Sequence, residues 1–283
     1  MNTFVLINKP SGYTSRDIVN VISKRYNTKK VGHTGTLDPL ATGLLLICIG
    51  KYTKLVDLLQ CDTKEYEAQI ILGVKTDTYD IEGKVIEDNN CNNILVEDII
   101  NVVNSFKKTY MQEVPIYSAV KVNGKKLYEY ARNNIDVVLP KKEITIKNIE
   151  IISDIKLIDN KYYFSIKTTV SKGTYIRSLI NDIGNTLGCG ACMKSLIRTK
   201  LGNFKLDDSN NIDDNILKEY NINDIINYEK VIINDELLLK KVINGNKLNN
   251  IYNTDFIGYI YNNNLVALYK KIDNDYIKPV IIF

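Results

Sequence analysis

The sequence predicts an α+β protein with a large domain around a central mixed sheet and a small, mainly β C-terminal domain. In the first half of the chain the predicted elements follow in the order loop, strand, helix, strand, which is typical of this class. The 283 residues are 45% apolar, enough for one large core and a small second domain. Beyond about residue 206 the composition shifts to Asn, Asp and Ile, with short strands and a helix near 234–243. We therefore expect domains over 1–206 and 230–283, with a linker over 207–229.

The first 60 residues predict two strands that flank a helix and a loop. An apolar run at 4–8 predicts the first strand, and Thr14 and Asp17 are spaced as a capping box that opens a helix. The loop at 29–43 reads KKVGHTGTLDPLATG and contains one acid, Asp38. The apolar run that follows, LLLICIG, predicts the second strand. The loop with its single acid therefore lies between a helix and a strand.

The middle of the chain predicts further helices and strands. We expect a short helix over 53–59 and a strand over 64–73. Residues 95–106 have the apolar spacing of an amphipathic helix. A strand over 117–124 ends in Asn-Gly, a turn signal that precedes a helix over 125–134.

The next segment predicts a hairpin and a further helix. Two β-rich runs, 143–158 and 161–170, meet at an Asp-Asn pair that is typical of a hairpin turn. A loop then leads to a helix expected from near Thr174 to Gly188. Arg177 falls in the first or second turn of that helix.

The charge is distributed unevenly along the chain. Residues 1–205 contain 29 Lys and Arg against 21 Asp and Glu, whereas residues 206–283 contain 8 against 12. Within residues 1–60 there are 8 bases and 3 acids, so the positive excess surrounds the loop that contains Asp38. This distribution favours a polyanionic partner there, although lysine-rich faces are usually only solvated.

Apolar runs and cysteines indicate the compartment. The run at 44–49 is far too short to span a bilayer, and no charged-then-apolar leader opens the chain, so we expect a cytoplasmic protein. Five cysteines at irregular positions suit free thiols better than a disulfide framework. Cys189 and Cys192 form a CxxC that could be half of a zinc site or a redox pair. A structural zinc site needs four ligands, however, and there is no second CxxC and only one histidine.

The absence of several motifs narrows the chemistry to a carboxylate. The chain has neither a Gly-Lys-Ser/Thr phosphate loop nor a GxGxxG after a strand. A Ser-His-Asp triad would have to use His33, only five residues from Asp38 in the same loop. A lone ionised Asp38 could attack carbon, take a proton or stabilise a cationic sugar centre. The structural alternative is a turn-forming Asp-Pro pair.

Five further segments follow one another along the chain. They read NKPSGYTS at 8–15, GHTGTLDPLATGLL at 32–45, KEYEAQIILGVKTDT at 64–78, VPIYSAVKVNGKKLYEYAR at 114–132 and SKGTYIRSLINDIG at 171–184. In this order they resemble the TruB-type family of tRNA pseudouridine synthases, which modify the T loop of tRNA, and the resemblance covers residues 4–204 with family-like spacing. Residues 230–283 resemble the family's small C-terminal PUA domain only weakly, and the segment is short for one.

The resemblance implies an isomerase that converts uridine 55 of tRNA to pseudouridine with Asp38 as the catalytic aspartate. The N1–C1′ bond breaks and a C5–C1′ bond forms, which requires no cofactor and no metal. Tyr66 would hold the detached uracil against its aromatic face. Arg177 would pair with Asp38 and favour its ionised form, and Tyr175 and Leu196 would line the uracil pocket.

The resemblance also implies RNA contacts, because the target base must be extracted from a folded loop at a cost of a few kcal/mol. It places His33 in the space that the base vacates. Candidates for phosphate or ribose contact, or for support of the site, are Lys9, Tyr117, Ser118, Lys121 and Arg132. The expected partner is the T arm of tRNA, and the family suggests a monomer.

Two other functions compete with this one. The first is an RNA-binding or RNA-folding module in which catalysis is incidental or lost; the presence together of Asp38, Tyr66 and Arg177 argues against loss. The second is a sugar-processing hydrolase, which would need a second acid near Asp38. Asp77 and Asp80 are the candidates for that acid.

Overall fold

The computed structural model describes residues 1–60 and 62–283 and contains two main sheets. The first 16 strands, in chain order, are β1 (Thr3–Lys9), β2 (Val31–His33), β3 (Thr42–Ile49), β4 (Thr63–Leu72), β5 (Val74–Thr76), β6 (Val85–Asp88), β7 (Thr109–Glu113), β8 (Lys121–Val122), β9 (Lys125–Lys126), β10 (Lys141–Ile151), β11 (Lys156–Ile158), β12 (Lys161–Ser171), β13 (Ala191–Leu201), β14 (Phe204–Lys205), β15 (Asn210–Asn211) and β16 (Glu219–Tyr220). The C-terminal strands are β17 (Glu229–Ile232), β18 (Leu248–Asn249), β19 (Phe256–Tyr261), β20 (Asn264–Lys271) and β21 (Tyr276–Ile282).

Six α-helices and two 3₁₀ helices connect these strands in the described residues. The α-helices are α1 (Ser15–Arg25), α2 (Val96–Ser105), α3 (Leu127–Arg132), α4 (Ile176–Thr186), α5 (Ile222–Ile225) and α6 (Glu236–Ile243). The 3₁₀ helices are Gly50–Leu55 and Leu206–Asp208. None of these helices is both long and apolar enough to cross a membrane.

The large sheet is mixed, as the sequence predicts. Its main path runs β15-β1-β3-β13-β4-β12-β10-β7. Most neighbours are antiparallel, but β3 and β13 are parallel, as are β1 and β15. The sequence does not predict β13, although it lies in the middle of the sheet. Two register shifts against β4, between Met193 and Ser195 and between Arg198 and Lys200, break the alternation that marks a strand.

Hydrogen bonds at the start of α1 and backbone conformation between β11 and β12 confirm two predicted boundaries. The Asp17 amide donates to the Thr14 hydroxyl (3.1 Å), and the Thr14 amide donates to the Asp17 carboxylate (2.9 Å), which completes the capping box of α1. Asp159 and Asn160 adopt φ of 49° and 62° between β11 and β12. Both residue types tolerate this left-handed conformation, so the predicted hairpin turn forms there.

Two predicted elements are wrong in part. The strand expected over 117–124 is reduced to β8, which pairs with β9 across a turn at Asn123 and Gly124. The residues before β8 leave extended pairing and approach α4, where the Tyr117 carbonyl accepts a hydrogen bond from Arg177. The helix expected over 53–59 is a 3₁₀ helix that ends at Leu55.

The C-terminal sheet, in the order β17-β19-β20-β21-β18, packs against the large sheet. Leu268 and Ile281 belong to the same buried cluster as Phe4 and other apolar residues of β1 and β3. The ring of Tyr52 stacks on Phe4 at 4.4 Å and meets the edge of the C-terminal Phe283 at 6.0 Å. Within 207–229, β15 and β16 both pair with β1, so this segment extends the large sheet.

Candidate active site

A cavity of about 340 Å³ lies where the loop containing Asp38, β4, β13 and the start of α4 meet. Its lining includes seven of the residues that the sequence singles out. These are Asp38, Tyr66, Tyr117, Ser118, Tyr175, Arg177 and Leu196. Residues separated by up to 158 positions therefore share one cavity, with a carboxylate, a guanidinium and aromatic rings in its wall.

Asp38 and Arg177 form an ion pair in this cavity. Arg177 Nε lies 2.9 Å from Asp38 Oδ2. The Arg177 side chain is only 6% exposed, whereas that of Asp38 is 38% exposed. The pair thus presents the carboxylate to the cavity and keeps the guanidinium behind it. Asp38 Oδ1 has no hydrogen-bond partner among the described residues, so this oxygen is open to a ligand.

The Arg177 guanidinium is fixed on its other edges. Its Nη1 donates to the Thr78 carbonyl (2.9 Å) and its Nη2 donates to the Tyr117 carbonyl (3.1 Å). Nη1 also lies 3.6 Å from Asp80 Oδ2. Arg177 is therefore held between two carboxylates and two carbonyls, a set of contacts that lysine cannot reproduce.

Asp80 does not supply the second acid that a hydrolase would need. Its Oδ1 accepts hydrogen bonds from the Thr78 hydroxyl (2.7 Å) and the Glu82 amide (3.1 Å), and it lies behind Arg177 outside the cavity lining. The Asp77 carboxylate accepts from the Lys84 amide (2.7 Å) within the same turn. The two acids stabilise a turn, and the arrangement does not favour glycoside hydrolysis.

Hydrogen bonds to the first helix and the first strand hold the Asp38 loop in place. The Ser15 hydroxyl accepts from the Leu37 amide (2.8 Å) and donates to the Leu37 carbonyl (3.1 Å). Lys9 is fully buried, and its ammonium group donates to the carbonyls of Tyr13 (2.6 Å) and Pro39 (3.3 Å). Burial lowers the pKa of Lys9 to about 8. This geometry favours support of the loop over contact with RNA phosphate.

Aromatic and apolar side chains form the walls of the cavity. Tyr66 on β4 and Leu196 on β13 are each 6% exposed. The backbone of Tyr175 is clamped by Gln112, which accepts from the Tyr175 amide (2.8 Å) and donates to its carbonyl (3.1 Å). Burial raises the pKa of the Tyr175 phenol, which favours its neutral form. The buried Ser118 hydroxyl lies beside this phenol and partly opposes the rise in its pKa.

Three further predicted residues lie outside the cavity lining. His33 is the last residue of β2, and its Nδ1 is buried without a partner in the described structure. Burial lowers the pKa of His33, helped by Arg16 and Arg198, so its imidazole is neutral at neutral pH. Lys121 is exposed on β8. Arg132 lies at the end of α3, with its guanidinium 5.2 Å from the Tyr128 ring.

Sequence reasoning did not identify Arg198, which also lines the cavity. Arg198 is fully buried on β13, donating from Nε to the Leu44 carbonyl (2.7 Å) and from Nη2 to the Gly35 carbonyl (3.2 Å). It thereby ties the loop containing Asp38 to the middle of the sheet. Gly43 has φ of +102°, and a Cβ there would lie 2.7 Å from the Arg198 backbone nitrogen. Only glycine permits such a close approach of two backbones. Gly43 was therefore the one feature of the sequence that could have indicated this contact with Arg198.

The CxxC cysteines are buried thiols. Cys189 and Cys192 are free, and burial raises their pKa values to about 12 and about 11. Their environment disfavours the thiolate that both zinc binding and redox exchange require. In residues 1–60 and 62–283, no group of three or more His, Cys, Asp or Glu side chains is arranged to hold a metal.

Family models match most of the chain. Residues 23–176 match the model described as TruB family pseudouridylate synthase (N terminal domain). Residues 177–244 match the tRNA pseudouridylate synthase B C-terminal domain. The boundary between the two models falls between Ile176 and Arg177, which both line the cavity that contains Asp38.

Curated relatives and solved structures agree with these models. The chain is 45% identical over 256 residues to tRNA pseudouridine synthase B of Clostridium tetani, covering 88% of this chain and 86% of the relative. It is 44% identical over 255 residues to the Bacillus subtilis protein of the same name, covering 87% and 82%. Among solved structures, a chain of a Cbf5-Nop10-Gar1 complex aligns with a TM-score of 0.66 at 24% identity, covering 99% of this chain and 84% of that one. The structural likeness supports the same fold.

Proposed function

The chain belongs to the TruB family of pseudouridylate synthases, which makes it an enzyme that isomerises uridine to pseudouridine in tRNA, and we propose that its target is uridine 55 in the T loop. The observation that carries this proposal is the Asp38–Arg177 pair in a cavity walled by Tyr66, Tyr175 and Leu196. A carboxylate paired with a guanidinium beside aromatic walls suits a reaction in which a base leaves ribose and returns.

Asp38 acts on the ribose through its open oxygen. When the N1–C1′ bond breaks, C1′ becomes electron-poor, and Asp38 Oδ1 can bond to it or remove a neighbouring ribose proton. A C5–C1′ bond then forms, C5 loses its proton and N1 gains one, so the isomerisation needs neither an oxidant nor a reductant. Arg177 fixes the opposite oxygen and orients the carboxylate.

The walls hold the uracil while it is detached. Tyr66 and Tyr175 offer faces on which a planar base can rotate without a required orientation. Leu196 closes the pocket with apolar surface. The buried Ser118 hydroxyl lies beside the Tyr175 phenol, and it can turn to bond a polar edge of the uracil or a ribose hydroxyl when the substrate is bound.

Lysines near the cavity mouth provide contacts for the RNA backbone. Lys64 lines the cavity, and the Lys142 ammonium packs against Gly173 at its rim. Lys147 and Lys172 lie in a neighbouring depression with Lys142. Such a cluster positions RNA through its phosphates. Lys121 and Arg132 are further candidates for RNA contact, and the neutral His33 is suited to stacking where the base has left.

We also propose a role for the C-terminal domain, a cellular compartment and an oligomeric state. Residues 230–283 contain seven Lys against five Asp and Glu, which supports their assignment as a short PUA-like domain that adds affinity for tRNA. Free cysteines at 48, 91, 189 and 192 support action in the cytoplasm, where thiols stay reduced. By analogy with the family we propose that the protein acts as a monomer.

The test is to incubate the protein with a tRNA transcript and with its isolated T arm, and to map pseudouridine in both. We expect a single site at position 55, and no product when that uridine is replaced by cytidine. Product at other positions would contradict the proposed target. Binding without any product would support the alternative of an RNA-folding module.

A further inference from the structure

Strand β13 carries an extra residue directly beside the cavity that contains Asp38. Arg198 lies opposite Tyr66 of β4 and Lys200 lies opposite Glu65, so Thr199 has no position of its own on β4. This is a β-bulge, in which two residues of one strand face one residue of its partner. Arg198 and Tyr66 both line the cavity. The bulge therefore begins where β13 leaves the site.

The bulge determines which way Arg198 points. In a regular strand, residues three positions apart point to opposite faces of the sheet. Here Arg198 lines the cavity, and Leu201 is buried opposite Lys64, which lines the same cavity. Without the extra residue, burial of Leu201 would turn Arg198 away from the cavity.

Glu65 is the residue of β4 that faces the bulge, and each of its carboxylate oxygens holds one bulge residue. The Thr199 hydroxyl donates to Glu65 Oε1 (2.9 Å), and the Lys200 ammonium group donates to Oε2 (3.0 Å). The Lys167 ammonium group lies 3.4 Å from Oε1. Glu65 is buried, whereas the two lysines are partly exposed. Loss of the carboxylate would therefore release the bulge without leaving a buried cation unpaired.

Arg198 connects the bulge to the loop that contains Asp38. Its guanidinium donates to the Gly35 carbonyl (3.2 Å) on one side of Asp38 and to the Leu44 carbonyl (2.7 Å) on the other. The backbone of β13 pairs with β3 at Ile197 and Arg198, directly before the bulge. A change at the bulge therefore reaches the contacts on both flanks of Asp38.

We propose that Glu65 is a positioning residue for the isomerisation, and that it acts on Asp38 through the bulge at Thr199 and through Arg198. Glu65 lies on the face of β4 opposite to Tyr66 and outside the cavity lining, so it does not contact the uracil. This role rests on the proposed function of Asp38.

Single-turnover pseudouridine formation, measured together with tRNA affinity by filter retention, tests this role. In Glu65→Ala we expect the rate at saturating tRNA to fall by about tenfold, less than for a catalytic group misplaced by about 1 Å, with affinity unchanged. Glu65→Gln should recover part of the rate, because its single amide oxygen can accept from Thr199 or from Lys200 but not from both. Glu67→Ala is the matched control, since Glu67 lies on the same face of β4 and pairs with Lys167 (3.2 Å) away from the bulge. Its rate should stay near that of the wild type.

Thr199→Val provides a second test that changes no charge and keeps a β-branched side chain. It removes the hydrogen bond to Glu65 from the other partner, so the rate should fall severalfold. Combined with Glu65→Ala it should lower the rate no further than Glu65→Ala alone, because both changes release the same bulge. Urea unfolding identifies any variant that fails to fold.

Asp38→Asn in the same assay tests the proposed function separately. If Asp38→Asn is inactive but Glu65→Ala and Thr199→Val react as fast as Glu67→Ala, the positioning role of Glu65 is wrong and the role of Asp38 stands. A loss of tRNA affinity in Glu65→Ala at an unchanged rate would also overturn the positioning role. Activity in Asp38→Asn would instead contradict the proposed function itself.

Discussion

At the scale of single residues, the site depends on how Arg177 is held. Its guanidinium contacts Asp38, the carbonyls of Thr78 and Tyr117, and the buried Asp80. The pairing of Arg177 with Asp38, expected from the family resemblance, is present at 2.9 Å. Asp80 behind Arg177 was not expected in that role, because sequence shows two acids in one turn but not which side of an arginine they occupy.

The first residue-scale prediction concerns Arg177→Lys. Lysine keeps the positive charge but loses the planar fork, so Asp38 is no longer oriented. We expect single-turnover pseudouridine formation to slow by roughly 10²-fold, as for a catalytic group misplaced by about 1 Å. Binding of tRNA, measured by filter retention, should change little because this side chain is buried behind Asp38. A rate near that of the wild type would show that Asp38 is oriented by other groups.

The second residue-scale prediction concerns Ser118→Ala. The hydroxyl is buried beside the Tyr175 phenol without a well-formed hydrogen bond, so its removal should change the urea midpoint of unfolding only slightly. If it bonds the substrate, kcat/KM should fall by about five- to tenfold, which is the scale of one neutral hydrogen bond. Thr34→Ala removes another buried hydroxyl without a partner, outside the cavity lining, and serves as the control. Equal kinetics for the two variants would exclude Ser118 from substrate contact.

At the scale of elements, the sequence predicts those whose signals are local. The capping box opens α1 and the Asp-Asn turn closes the β11–β12 hairpin because each needs only neighbouring residues. The sequence does not predict the central strand β13, because two register shifts against β4 interrupt the alternation of apolar and polar residues. Tyr117 and Ser118 leave their predicted strand for a similar reason, since contact with α4 outweighs β propensity.

The element-scale prediction concerns the pH dependence that α4 introduces. Burial raises the pKa of Asp182 in the folded protein to about 6, above the 3.8 of an unperturbed aspartate. The folded state therefore binds more protons, and the stability contributed by the protonated form is complete below about pH 3.8 and lost as pH rises through about 6.

Asp182→Asn should remove this dependence. Urea unfolding at pH 4 and pH 7.5 should show that the variant gains stability relative to the wild type as the pH rises. Asp207→Asn is the matched charge change at an exposed position. If the difference between Asp182→Asn and the wild type is the same at both pH values, burial of Asp182 does not perturb its ionisation.

At the scale of the whole molecule, the C-terminal sheet is joined to the large sheet by a shared core. Leu268, Ile281 and the Tyr52–Phe283 contact connect the two. The composition shift near residue 206 predicts the small β region. It does not predict this docking, because the apolar residues of short strands do not indicate which other strands they pack against. Changes in this region should therefore affect the stability of the whole fold.

The whole-molecule prediction is that Phe283→Ala destabilises the entire protein. Phe283 is only partly buried, so we expect a loss of roughly 1–2 kcal/mol in the free energy of unfolding, below the range for a full core phenylalanine. Ile251→Ala, at a position 81% exposed, should change stability by less than about 0.5 kcal/mol. A loss confined to tRNA affinity, with unfolding unchanged in Phe283→Ala, would mean that the C-terminal sheet is not part of the common core.

The central claim is that the Asp38 carboxylate performs the isomerisation of uridine 55. Formation of the C5–C1′ bond expels the proton from C5, so tritium release from a T arm labelled at C5 of that uridine counts reaction events directly. Under single-turnover conditions we expect the wild type to release all of the label, and Asp38→Asn to bind the T arm with similar affinity and release none above background. Release by Asp38→Asn at a rate within tenfold of the wild type would contradict the account.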